Sequence, residues 1–286
     1  LPDGGIVQFV WGECQTMAPD GLFFSSAHGG QEVDWFGEPR LPDPASVPTG
    51  GFSPDQLDRM TYLCRRARNE SSDRAVVFSG LNTGLGFWGG MANFSILALQ
   101  APETVHAYHE ALLAQALVRV RQLIPRIRDC VDVLHVASDD QGTQQSTILA
   151  PEVFRDLFTP YYRRFNAEIH ALAPELKTFY HSCGAIYPLL PAIIEGGFDV
   201  LNPVQWIAGS ADAAAWRAAA DGKLALWGGG VDTQHVLPLG TVAEVAAQAR
   251  TTAATLSRGS GYVFSAIHNL LAETAPEKII AMYKSV

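Results

Sequence analysis

The chain switches at least six times between a short apolar run and a longer amphipathic stretch, and no other feature narrows its fold as much. RAVVFSGLN precedes an amphipathic stretch from Pro102 to Arg128, and VDVLHVASDD precedes a helix expected over Pro151 to Ala171. LKTFYHSCG is followed by YPLLPAIIEGG, FDVLNPVQ by ADAAAWRAAA, and LALWGGGVDTQ by TVAEVAAQARTTAATL. GYVFSAIHN and APEKIIAMYKSV close the series. Strands alternating with helices imply a parallel sheet with crossover helices. The runs are near-continuous in apolar character, as strands covered on both faces require. An open doubly wound sheet and a closed barrel share this pattern. No GxGxxG or GxxxxGK[ST] follows a strand, which weighs against a nucleotide-binding open sheet. A length of 286 residues suits a single (β/α)8 TIM barrel domain over 1–286.

Residues 1–55 read as an irregular N-terminal segment, broken by Gly and Pro. Within them Ile6 to Gly12 reads as a strand and Leu41 to Asp55 as a loop. Ser53 and Gln56 have the spacing of a capping box, so a helix is expected from there to about Asn69. The sequence begins abruptly with LPDGGIVQFVWG, as expected where upstream residues are missing.

Charge and cysteine usage narrow the partners. A net charge of -9, with no long Lys/Arg run, weighs against nucleic acid. Arg65, Arg66 and Arg68, and Arg119, Arg121, Arg126 and Arg128, read as solvated helix faces. Cys14, Cys64, Cys130 and Cys183 lack CxxC spacing, which suits a reducing, cytoplasmic setting. No apolar run has membrane-spanning length, and no signal peptide is visible.

The functional signal is positional. Run after run ends in polar residues: Ser138, Asp139 and Asp140 with Thr143 and Gln144 beyond, His181, Ser182 and Cys183, Asn202 and Gln205, Asp232 and Gln234, and His268 and Asn269. At the C-terminal ends of barrel strands such groups read as catalytic or ligand-binding, whereas the opposite rim reads as stability. Helix capping explains one such residue but not a series containing His, Cys and Gln. His181 and Cys183 are two apart, so on a strand both leave the same face. Imidazole and thiolate together suit zinc, whereas the pair taken without context reads sooner as a buried structural cysteine and a hydrogen-bonded histidine. Asp139 and Asp140 are adjacent, so one can face the site as acid, base or substrate anchor while the other orients a neighbour. The glycines of WGGGVDTQ fit either an anion cradle or a tight turn under a ligand.

Five blocks in order, DDQGTQ (139–144), HSCG (181–184), FDVLNPVQ (198–205), WGGGVDTQ (227–234) and GYVFSAIHN (261–269), resemble the uroporphyrinogen decarboxylase superfamily. They are most similar to its corrinoid and coenzyme M methyltransferase-like branch. The resemblance implies a (β/α)8 barrel and, in that branch, zinc held by an HxC pair and a later cysteine. His181 and Cys183 match the pair, and no cysteine follows them. His268 is the expected third ligand, with Asp139 or Asp140 next. The MRQAGR-like segment of the true decarboxylases is absent.

The expected activity is therefore metal-assisted transfer of a methyl group from a small donor to a corrinoid protein or thiol. Asp139 and Asp140 are the expected catalytic residues, and Gln144, Asn202, Gln205, Asp232, Gln234 and Asn269 the expected substrate contacts. The alternatives are a metal-free decarboxylase-like lyase and a ligand-binding barrel without chemistry. A homodimer is expected from the resemblance alone.

Overall fold

The computed structural model describes residues 4–10, 13–21, 24–26, 38–71, 73–259 and 261–286. These form two compact units, one of residues 1–38, 230–253 and 265–286, the other of 39–229 and 254–264.

The larger unit holds the regular part of the alternation. Its helices are α1 (Pro54–Glu70), α2 (Met91–Gln100), α3 (Pro102–Ile127), α4 (Pro151–Leu157), α5 (Thr159–Leu172), α6 (Leu190–Glu195) and α7 (Ala213–Ala220). The expected capping box opens α1: Gln56 N donates to Ser53 Oγ at 3.2 Å, and Ser53 N donates to Gln56 Oε1 at 2.9 Å. The stretch expected as one helix from Pro151 is broken after Leu157, because Pro160 has no N–H to continue the ladder. The Leu157 carbonyl instead bonds to His109 Nδ1 of α3 at 2.9 Å.

The strands are β4 (Val77–Phe78), β5 (Val133–Ser138), β6 (Lys177–His181), β7 (Val200–Asn202), β8 (Ala225–Trp227) and β9 (Tyr262–Val263). They lie in sequence order, each parallel to the next. The sheet curls but stays open, its edges 13 Å apart. The closed (β/α)8 TIM barrel expected from the sequence is therefore corrected to a six-stranded half-barrel. Alternation sets parallel pairing and crossover helices. Closure depends on strand number and stagger, which the local pattern does not carry.

The convex face of the sheet is buried along its inner strands. Leu134, Val136, Tyr180, Leu201 and Leu226 are buried at 0% against a helix-side core containing Phe154, Phe158, Tyr162 and Trp216. Burying such a side chain contributes about 1.5–3 kcal/mol. On the concave face Val133, Phe179 and Val200 form a separate cluster with Ala225 and Trp227, and keep 6–8% exposure. Acidic residues tie down the N-terminal rim. Asp132 Oδ2 accepts from Val76 N at 2.7 Å and pairs with Arg68. Asp199 Oδ2 accepts from Thr178 N at 2.8 Å and meets His170 Nε2 at 2.8 Å.

The smaller unit contains an antiparallel sheet of β1 (Ile6–Val10), β2 (Glu13–Met17) and β3 (Ser25–Ser26). It also holds α8 (Val236–Leu239), most of α9 (Val242–Leu256) and α10 (Pro276–Lys284). The strand expected over Ile6 to Gly12 is present to Val10, and Gly12 lies outside the described residues. Among the described residues no helix is long and apolar enough to cross a membrane.

Candidate metal centre

The ladder between β5 and β6 shifts register between His135 and Ala137, then pairs Ser138 with His181. This brings the two aspartates that follow β5 level with the end of β6, where Asp139 N donates to His181 O at 3.2 Å. Beyond the strands the two loops are fastened to each other. Gln141 N donates to Ser182 Oγ at 3.0 Å, and Ala185 N donates to Thr143 O at 2.7 Å. Gly184 has φ +92°, and a Cβ there would overlap the Gly142 backbone, so this approach requires glycine. Behind the turn, Gly184 N donates to Gln205 Oε1 at 2.7 Å, and Gln205 Nε2 donates to Gln144 Oε1 at 3.3 Å.

Asp140, His181 and Cys183 each present a ligand atom, all within 4.8 Å of one another. Cys183 Sγ is 3.5 Å from His181 Nε2, and Asp140 Oδ1 is 3.9 Å from the same nitrogen. The tautomer of His181 follows from its neighbours. Asn202 Nδ2 donates to the Trp227 carbonyl at 3.1 Å, which turns Asn202 Oδ1 toward His181 Nδ1 at 2.7 Å. Nδ1 therefore carries the proton, and the Nε2 lone pair faces the thiol and carboxylate. An imidazole fixed through its far nitrogen is the arrangement by which proteins orient a metal-binding histidine.

Burial and neighbouring carboxylates set the electrostatics of the group. Burial, reinforced by Asp140, pushes the Cys183 thiol up to about 12. Burial and then Asp140 push Asp139 up to about 7, against a hydrogen bond from the Phe87 backbone. Gln141 Nε2 also donates to Asp139 Oδ2 at 3.0 Å. A divalent cation would reverse the penalty on Cys183 and deprotonate it. One nitrogen, one sulfur and one carboxylate oxygen make a donor set that fits zinc.

Of the residues expected from sequence, Asp139, Asp140, Gln144, His181, Cys183, Asn202 and Gln205 come together here. Asn202 and Gln205 spend their side chains on His181 and the Cys183 turn. Asp232, Gln234, His268 and Asn269 belong to the smaller unit. There Asp232 Oδ1 accepts from Gln234 N at 2.8 Å and His235 N at 3.0 Å, in the turn before α8. Gln234, His268 and Asn269 are exposed. Sequence reasoning missed Gln141, which is buried at 0% under Asp139. Its only signal was its place inside the DDQGTQ block.

The model of the family described as uroporphyrinogen decarboxylase (URO-D) matches residues 87–286. The chain belongs to the uroporphyrinogen decarboxylase family. This family member is also similar in fold to a solved structure titled methyltransferase from Methanosarcina mazei. The TM-score is 0.62 and the identity 14%, over 99% of this chain and 75% of that one. At that identity the likeness speaks for fold alone. No curated protein matches the sequence. The family and the Asp140–His181–Cys183 group together support a metal-associated enzyme of the uroporphyrinogen decarboxylase family.

Proposed function

We propose that this family member is a metal-assisted methyltransferase-like enzyme, moving a methyl group from a small donor to a corrinoid carrier protein or a thiol. The observation that carries the reading is the convergence of Asp140, His181 and Cys183 with the His181 lone pair turned inward. These three residues would hold the metal, zinc by the chemistry of its donors. When bound, zinc supplies Lewis acidity toward an ether oxygen or amine nitrogen.

In this reading Asp140 takes the third ligand position in preference to His268, because its carboxylate already lies in the group. Asn202 fixes the His181 ring, and Gln205 with Gln144 fixes the Cys183 turn. Asp139, whose proton affinity is raised by burial and then by Asp140, would give the proton to the leaving heteroatom.

The test is elemental analysis of the purified protein, with methyl transfer to free cob(I)alamin followed in parallel. One metal per chain is expected. Cys183→Ser should lower metal content and transfer rate together, each at least tenfold, because a hydroxyl replaces thiolate poorly. Full activity of the metal-free Cys183→Ser protein would sink the reading. A metal-free lyase is then the second reading, favoured by Asp139, whose raised proton affinity suits protonation of a carbanion.

A further inference from the structure

The rim of the half-barrel away from the metal group holds a cavity that no step of the proposed reaction uses. α7 ends at Ala220, and a short turn leads into β8 at Ala225. α9 ends at Leu256, and the next turn leads into β9 at Tyr262. Both turns enter the sheet at its N-terminal rim, whereas Asp140, His181 and Cys183 gather beyond the C-terminal ends. Between α7 and residues 255–259 lies a cavity of about 420 Å³. Its size is within the roughly 300–1,000 Å³ usual for small-molecule sites. All the residues that line it belong to the larger unit.

Small residues leave the space open. Ala214 and Ala218 are one turn apart on α7, so their methyl groups face the cavity together. Gly259 has φ +86°, and a Cβ there would come within 2.8 Å of Asp221 Oδ1. Two guanidinium groups and one carboxylate line the same space, from Arg217, Arg258 and Asp221. The Arg217 side chain is only 6% exposed. Its Nη1 donates to the Leu256 carbonyl at 3.4 Å, and its Nη2 lies 4.0 Å from Asp221 Oδ1. These contacts fix the position of its charge whether or not the cavity is filled. Asp221 is 68% exposed, so water screens it and it offsets the buried charge only in part. Arg258 is exposed and free to fold over a bound group. Capping of the α9 end accounts for Arg217 alone. It accounts neither for the second arginine nor for the floor of methyl groups.

We propose that this cavity binds a small organic oxyanion, a carboxylate or a phosphate monoester, with an apolar body. The charged end lies between Arg217 and Arg258, and the body covers Ala214 and Ala218. Guanidinium groups match both kinds of oxyanion through parallel N–H···O bonds. A chain of net charge -9 repels anions over most of its surface, and a local pair of arginines reverses the sign at one place. The ligand joins the turn that enters β8 to the turn that enters β9. It is distinct from whatever reacts beside Cys183, and the assignment does not depend on the metal.

The test is calorimetric titration with phenyl phosphate, benzoate and benzyl alcohol, which share a ring and differ in charge. Circular dichroism and metal content are measured on the same samples. At least one anion should bind with a submillimolar Kd, and the tighter of the two identifies the oxyanion. Benzyl alcohol should bind about tenfold more weakly or worse, the scale of a hydrogen bond to a charged group. Arg258→Ala should weaken anion binding about tenfold for the same reason. Ala218→Leu keeps both arginines but fills the floor from an exposed helix position. It should abolish binding while helix signal and metal content stay constant. No saturation by either anion at millimolar concentration, equal affinity for benzyl alcohol, or unchanged affinity in either variant overturns the assignment. If Ala218→Leu fails to fold, Arg258→Ala, in an exposed turn, decides alone.

Discussion

Asn202 touches no ligand atom position itself, yet it decides which nitrogen of His181 faces Asp140 and Cys183. Removing such an orienting partner typically weakens metal binding 10- to 100-fold. Asn202→Ala is therefore expected to lower metal affinity by about that range, read by competition with a chromogenic chelator, while the fold signal stays constant. At this scale the sequence was legible where chemistry follows spacing. HxC puts His181 and Cys183 on one face wherever the backbone is extended, and β6 ends at His181 with Cys183 just beyond. Adjacent Asp139 and Asp140 could only be read as diverging. Which one joins the group depends on the register shift in β5 and on the Cys183 N–H, which donates to Asp140 Oδ1 at 2.8 Å. Neither has a signature in residue types.

Between elements, His109 joins α3 to the end of α4. It stacks on Phe94 with centroids 5.7 Å apart and bonds the Leu157 carbonyl that the helix break leaves free. Burial lowers its proton affinity from 6.5 to about 4. The unfolded chain thus takes up the proton before the folded one does. The stabilisation is complete above the unfolded value and is lost as the pH falls from 6.5 toward 4. Roughly 2 kcal/mol should disappear between pH 7 and pH 5 from this group. His109→Gln keeps a donor for the carbonyl and does not titrate. Urea melts at the two pH values should show a smaller difference for it than for the wild type, and an equal difference would refute the assignment. The break that creates this role was missed because Pro160 reads equally well as a first-turn proline of a new helix or as an interruption of an old one. The strands were easier to find than their closure. β4 and β9 have two residues each, and nothing in VVF or YVF distinguishes an open edge from a paired strand.

For the molecule as a whole, the half-barrel separates the residues that hold it together from those that could do chemistry. Asp199 sits on the N-terminal rim. Burial alone would raise its proton affinity, but His170 and the Thr178 N–H hold it below the usual range. The metal group lies at the other ends of the strands. Asp199→Ala should cost about 1–3 kcal/mol at pH 7, the usual loss for a half-buried carboxylate bonded to a backbone N–H, with metal content unchanged. A change in metal content at full stability would show that the two rims are coupled. The acidic total charge of -9 carries no such information, since it weighs against nucleic acid without locating a site.

The fastening of the 139–144 loop to the 182–185 loop sets how a metal would come and go. Many metal sites exist only in the loaded state, because their ligands are scattered until the ion gathers them. Here Asp140 is already anchored to the Cys183 amide, Ala185 to Thr143, and Gly184 to Gln205. Peptide groups thus hold the three candidate ligands in place. Stripping the site with a chelator should leave the shape behind, so that replenishment is a matter of ion exchange and thiol deprotonation, with no refolding step in between.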